Sequence, residues 1–253
     1  MNPKWSSKFE LKPGKWVFIP TPESVTTGIR IKRAIEKCWR PPPYYFHLRG
    51  GGHVEALRSH IGHDIFLRVD IQDFFGSINR TRVTRCLKDK FGYNIARAYA
   101  NASTVPDPDV AKRIFIPFGF VQSQILASVC LAESALGRYL EKLHRNSLIA
   151  LSVYVDDIIV STSDAVLCDQ VLQEIEDAAT KSHFVLNASK QEGPAAAINA
   201  FNIVLEKGSM SVDAERYQRF QKALTEASSE YQRRGITSYV ASINVAQGVE
   251  ILT

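Results

Sequence analysis

Asp156 and Asp157, within Tyr154-Val155-Asp156-Asp157, stand between the apolar runs Leu148 to Val153 and Ile158 to Val160. Adjacent carboxylates repel each other. A chain that sets them at the tip of a β-hairpin either holds them together with divalent cations or leaves them as a solvated turn. A third acid, Asp70, falls near the end of Ile65 to Ile71, a mostly apolar run of the kind expected in a central strand covered on both faces. An uncompensated carboxylate in such a strand is costly, so Asp70 calls for a cation as much as Asp156 does. If the two strands are neighbours, Asp70 and Asp156 offer oxygen ligands to two Mg2+ ions about 3.5–4 Å apart, which stabilises the attacking and leaving oxygens of a phosphoryl transfer.

The elements that must position these acids are signalled by periodicity and punctuation. Phe9 to Pro20 reads as a hairpin turning at Pro13-Gly14, with Lys15 opening its second strand. Ile29 to Trp39 reads as a basic amphipathic helix carrying Arg30, Lys32, Arg33 and Lys37, ended by Pro41-Pro42-Pro43. With Tyr44, Tyr45, Phe46, His47 and Arg49 it mixes cations and aromatics as single-strand grooves do; a solvated helix face and a packed loop are the alternative. Gly50-Gly51-Gly52-His53 lacks the Gly-Lys-Ser/Thr ending of a phosphate loop and marks a turn before a helix from Val54 to His60. Ser123 is placed to cap a long apolar helix reaching about Leu143, and Gly119 permits backbone approach to a substrate. Ser163 and Asp164 are candidate caps for a helix to His183, whose stripe is Val166, Leu167, Val171, Leu172, Ile175 and Ala179. His60-x-x-His63 with Asp64 is a weak metal pattern, better read as structural histidines. Val105 to Asp109 reads as an exposed loop and Asp213 to Arg234 as a polar helix.

Five segments together resemble a family. Asp70-Ile71-Gln72-Asp73-Phe74-Phe75-Gly76-Ser77-Ile78 is similar to the first palm motif, Asp-x-x-x-Phe-Phe-x-x-Ile, of reverse transcriptases of the bacterial retron and defence-associated (abortive-infection-like) group, and Tyr154 to Asp157 to their metal-binding hairpin. Ile116 to Ser128 resembles their Pro-Gln-Gly-x-x-x-Ser-Pro segment, Leu186 to Lys190 their lysine motif, and Ala200 to Leu205 the strand that grips the primer. The resemblance implies an α+β right-hand polymerase with an antiparallel palm sheet packed on helices. Fingers would occupy 1–63, palm 64–212 with an interleaved fingers segment at about 80–115, and a rudimentary helical thumb 213–253.

It further implies RNA-directed DNA synthesis from dNTPs, with Asp70 and Asp156 as metal ligands, the Ile71 carbonyl as an extra one, and Asp157 ligating or tuning the field. Two Mg2+ ions are implied, with Mn2+ as a substitute. Lys190 corresponds to a lysine that protonates the leaving pyrophosphate, although an arbitrary lysine is a solvated one. Phe75, five residues after Asp70 (75 − 70 = 5), corresponds to a ring that collides with a 2′-hydroxyl, or is one more core ring among 13 phenylalanines. Asp73 reads as a surface or structural acid. Lys15 corresponds to the basic residue that grasps triphosphate, and Arg30, Arg33 and Arg49 to contacts on backbone phosphates. Phe118 stands where the family has Gln and Gln124 where it has Pro, so the polar contact near the sugar falls to Gln122 or Gln124, beside Gly119 and Ser123. The implied partners are an RNA template, including a structured non-coding RNA, the DNA product, and a protein partner or second copy compensating for the short thumb, in the bacterial cytoplasm and in anti-phage defence. The rivals are template-independent or protein-primed synthesis by the same site, and a non-catalytic RNA-binding scaffold, against which the three retained acids argue.

Composition agrees. The 253 residues are 45% apolar, enough for a sizeable core. A charge of +5, from 31 basic and 26 acidic residues, is a mild excess that suits a polyanionic partner. The cysteines at 38, 86, 130 and 168 have neither zinc-knuckle nor disulfide-framework spacing, and no apolar run of about 18 residues could span a bilayer.

Overall fold

The computed structural model describes residues 3–251. Strands β1 (Trp5–Lys12) and β2 (Lys15–Pro20) form the antiparallel hairpin read from Pro13-Gly14. Helix α1 (Pro22–Cys38) begins earlier than its basic run, because Thr21 accepts the Ser24 N–H and Pro22 takes the first turn. Next come α2 (Gly52–Arg58), β3 (Ile65–Asp70), α3 (Arg80–Phe91), α4 (Tyr93–Ala102) and the short pair β4 (Val105–Pro106) and β5 (Ile114–Phe115). Helices α5 (Ser123–Ala132) and α6 (Ala135–His144) lead to the hairpin β6 (Ala150–Tyr154) and β7 (Asp157–Thr162), then α7 (Ala165–Lys181). Strands β8 (Glu192–Ala195), β9 (Ala197–Ala200), β10 (Ile203–Glu206) and β11 (Ser209–Val212) precede α8 (Ala214–Thr225), α9 (Glu230–Ile243) and α10 (Val245–Glu250). Among the described residues no helix is long and apolar enough to cross a membrane.

The chain divides into two compact units, each assembled from three separated segments. The first takes residues up to Pro42, Ile71–Glu141 and Asp177–Val185; the second takes Pro43–Asp70, Lys142–Glu176 and Leu186 onward. Within the first, Phe18, Val105, Phe115 and Phe120 pack together under Trp5 and Trp16. Within the second, the sheet runs β6-β7-β3-β8, with every neighbour antiparallel. Phe66, Leu67 and Val69 of β3 are fully buried, as its apolar run suggests, and Arg68 interrupts them. A second sheet, β11-β10-β9, shares its core with α9 through Ile203, Leu205, Met210, Val240 and Ile243. His60 is fully buried between Ser161 Oγ at Nδ1 and Ser152 Oγ at Nε2, both 2.8 Å away, so it is a structural histidine that ties β6 to β7.

Four local expectations are corrected. The long helix from Ser123 is two helices: Ser134 Oγ donates to Leu131 O and accepts the Gly137 N–H, ending one helix and capping the next. A Cβ on Gly137 would fall 2.1 Å from Leu131 O, so glycine is what lets α6 start so close to α5. The strand Ala200 to Leu205 is instead the β9–β10 hairpin, turning through Phe201 and Asn202 at φ 59° and 61°. The helix Asp213 to Arg234 breaks after Thr225 and restarts beyond Ser229. In the proposed exposed loop, Val105 is fully buried and pairs with Phe115.

Candidate active site

The turn between β6 and β7 is only Val155-Asp156, with Tyr154 paired to Asp157 across it. Val155 takes a left-handed backbone at φ 61°, a conformation that costs a β-branched residue about 1–2 kcal/mol and so needs external support. The support comes from His47, whose Nδ1 accepts the Val155 N–H at 3.0 Å. Burial pushes His47 down to about 4, so the ring is neutral near pH 7 and keeps an acceptor nitrogen. The preceding Val153 N–H donates to Tyr44 O at 2.8 Å, and the Tyr154 ring packs edge-on against Phe201, 5.2 Å between centroids.

The β3–β7 register places Asp70 opposite Asp157, and ligand oxygens of Asp70, Asp156 and Asp157 all lie within 4.8 Å of one another. Two cations border the cluster. Lys190 Nζ donates to Asp70 Oδ2 at 2.7 Å, while Asn187 Nδ2 reaches Asp70 Oδ1 at 3.2 Å and the Asn187 N–H reaches the Asp70 carbonyl at 2.8 Å. Arg68 donates to Asp157 Oδ1 from Nε at 2.9 Å and Nη2 at 2.8 Å, and its Nη1 bridges Glu192 Oε1 and Asn199 O. Neither cation is ion-paired with Asp156. Burial, then the charges of Asp157 and Asp70, push Asp156 up to about 6. Burial also raises Asp157, with Arg68 opposing it. Burial works against the Lys190 ammonium, but the hydrogen bond and charge of Asp70, with Asp156 and Asp157, hold it above the usual lysine range. An all-oxygen donor set, clustered and with one acid in no ion pair among the described residues, fits a hard divalent cation.

The other sequence-predicted residues lie in the first unit, apart from Arg49. Lys15 Nζ sits 4.2 Å above the Phe118 ring, which meets Phe75 edge-on at 4.6 Å, so Phe118 in place of the usual Gln serves as a cation–π partner. Phe75 is buried against Phe74 as well. Gly119, at φ 101°, makes a close approach to the protein's own β2, since a Cβ there would lie 2.1 Å from Phe18 O. Ser123 is the first residue of α5 rather than its cap, and its hydroxyl donates to Pro117 O at 2.7 Å. Gln122 is turned inward, donating to Ser103 Oγ at 3.1 Å, while Gln124 is exposed. Ile71 is fully buried. Asp73 is exposed and ion-paired with Arg113, which also holds Asp107. Arg30 and Arg33 are exposed on α1. Arg49 lies in the second unit, over the Phe46 ring, with Nη1 on Pro43 O at 2.7 Å. Tyr44, Tyr45 and Phe46 are buried, as the packed-loop alternative expects.

Arg68, Asn187 and Glu192 were missed as site residues. Arg68 carried a signal, because an arginine inside an apolar strand, two residues before an acid, must find carboxylates.

The family model for reverse transcriptase (RNA-dependent DNA polymerase) matches residues 17–199. The chain belongs to this family. A telomerase from Candida albicans, solved with a TWJ fragment of telomeric RNA, is similar at TM-score 0.52 and 10% identity, over 91% of this chain and 49% of that one. The foamy viral protease-reverse transcriptase, solved with double-stranded DNA, is similar at TM-score 0.50 and 12% identity, over 92% and 35%. At such identities the likeness is one of fold, the mixed α+β fingers and palm of reverse transcriptases. The chain spans about a third to a half of the length of these structures. No curated protein matches the sequence.

Proposed function

We propose that this reverse transcriptase chain adds dNTPs to a primer end on an RNA template. The observation that carries the reading is the clustering of Asp70, Asp156 and Asp157 within 4.8 Å, with Asp156 in no ion pair among the described residues. These three acids would hold two divalent ions, Mg2+ or its substitute Mn2+, with the Ile71 carbonyl as a further candidate. When bound, such ions neutralise charge on the phosphate oxygens as the primer hydroxyl displaces pyrophosphate. Arg68 opposes protonation of Asp157 and aims it, and His47 holds the strained turn that presents Asp156. Lys190, whose side chain is 44% exposed, keeps its ammonium charged and can release a proton to the leaving pyrophosphate. Lys15 is proposed to take triphosphate oxygens and Phe75 to exclude a 2′-hydroxyl, on their places in the motifs. Arg30, Arg33 and Arg49 are proposed to meet backbone phosphates. The retron and defence-associated motifs support a setting in bacterial anti-phage defence, in the cytoplasm, with a structured RNA or a protein partner.

The test is incorporation of labelled dNTPs on a primed RNA with Mg2+, using the intact chain and Asp156→Asn. Template-dependent incorporation lost in the variant is expected; equal incorporation by both would overturn the reading. The same assay without template decides the second reading, template-free synthesis, which the apolar Phe118 at a usually polar position favours. Phe75→Ala should admit ribonucleotides, and an unchanged dNTP-to-rNTP ratio in the folded variant would reduce Phe75 to a core ring.

A further inference from the structure

A cavity of about 480 Å3 lies wholly inside the first unit, at the start of α3, the α5–α6 junction and the end of α7. Four cations line it: Arg82 and Arg85 from α3, Arg138 from α6 and Lys181 from α7. Its carboxylate, Glu133, is already held by Lys90 at 2.9 Å, and among the described residues none of the four cations has a carboxylate partner. Arg82 is fixed in place, donating to Ser182 O and lying 4.1 Å over the Phe184 ring, while Arg138 donates to Glu133 O at 3.0 Å. Two helix starts also open here. Asn79 caps α3 through the Arg82 N–H and Ser134 caps α6 through the Gly137 N–H, so both positive dipole ends face the same space.

We propose that this cavity binds a compact, multiply charged phosphate, free or as the polyphosphate of a nucleotide. Its volume falls within the range of small-molecule sites, about 300–1,000 Å3. Cations converging from three helices on one concavity match a ligand whose charges sit together. A nucleic-acid backbone, whose charges follow a line, calls for a stripe instead. The site shares no residue with Lys15, Phe75 or Phe118. It also carries its own reporter, because Cys86 and Cys130 line it. The hydrogen bond from Cys130, with the nearby guanidinium groups of Arg82 and Arg85, holds the Cys86 thiol below the usual range, and such a thiol alkylates readily. The exposed Cys38 lies outside the cavity and serves as the internal control.

The intact chain, without divalent cations, is titrated with tripolyphosphate and with ATP while Cys86 and Cys38 alkylation are followed by peptide mass spectrometry. Either ligand should slow Cys86 by about tenfold or more and leave Cys38 unchanged, with calorimetry giving the same midpoint. Arg85→Gln with Arg138→Gln, both at exposed positions, should weaken that midpoint by at least about tenfold, the effect of losing charge-assisted hydrogen bonds, whereas Lys15→Ala should not. Action of tripolyphosphate alone identifies a free polyphosphate, and action of both extends the site to nucleotides. No protection and no heat, equal slowing of Cys38, an unchanged midpoint in the double variant, or protection only by a 5′-hydroxyl RNA oligonucleotide would each overturn the proposal.

Discussion

At the scale of single residues, Asp156 holds opposite consequences for stability and chemistry. Its carboxyl is raised to about 6 from 3.8, so the folded chain binds that proton more readily than the unfolded chain. At neutral pH its ionised form therefore destabilises the metal-free fold, and the penalty fades as pH falls from about 6 toward 3.8. Asp156→Asn should accordingly raise the melting temperature of the metal-free protein by several degrees at pH 7.5 while removing incorporation. A melting temperature unchanged or lowered would show that the site is not under electrostatic strain. Because ligation needs the ionised acid, Mg2+ affinity measured by calorimetry should weaken steadily below pH 6, and a flat profile down to pH 5 would remove Asp156 from the ligand set. Arg68 acts in the other direction. Its side chain is 15% exposed and it bridges Asp157, Glu192 and Asn199 O, so Arg68→Gln removes the cation that the two acids share. The loss should be about 2–3 kcal/mol in urea denaturation, at the low end for a broken buried pair because Glu192 is partly exposed. A loss under about 0.5 kcal/mol, the size of a surface pair, would show the network to be ornamental.

At the scale of elements, the β6–β7 hairpin is held from outside. His47→Phe keeps the ring beside Tyr45, centroids 5.5 Å apart in the native chain, but removes the acceptor for the Val155 N–H. Amide exchange at Val155 should accelerate and incorporation should fall about tenfold, as loss of one buried hydrogen bond loosens Asp156. Unchanged exchange at Val155 would mean that strand pairing alone fixes the turn. Elements of this kind divide by how local their cause is. The β1–β2 hairpin, the β6–β7 strands and α7 were legible because Pro13-Gly14, the apolar run from Ile158 and the cap Asp164 act within a few residues. The α5–α6 break was not, since Ser134 between Glu133 and Ala135 looks like any helical serine until its hydroxyl reaches Leu131 O. The cluster of acids was legible from spacing, but the support that Arg68, Asn187 and His47 give depends on partners 89, 117 and 108 residues away. Contacts that long leave no periodic trace.

At the scale of the whole molecule, the buried His60 links stability to acidity. Burial, with His63 adding, lowers it from 6.5 to about 3, so the unfolded chain takes the proton first. The stability it contributes is present above about pH 6.5 and is lost as pH falls toward 3. Denaturation midpoints should therefore decline below pH 6.5, and less steeply in His60→Gln, which stays neutral; parallel declines in the two proteins would place the acid sensitivity elsewhere. The division into two units had no counterpart in composition, because each alternates along the chain without a linker between them.

That alternation also orders events on the ribosome. Asp70 pairs with Asp157, 87 residues later (157 − 70 = 87), and its hydrogen-bond donor Asn187 and its counter-cation Lys190 come later still in the chain, followed by β8, which closes the free edge of β3. A nascent chain that has reached Val185 already holds all three acids, yet it has an open strand edge and an unaccompanied buried carboxylate. Such a chain cannot settle into its final sheet. Pairing of β8 with β3 is thus the step that completes the four-stranded sheet, and a chain lacking it presents an unpaired strand edge of the kind that favours aggregation.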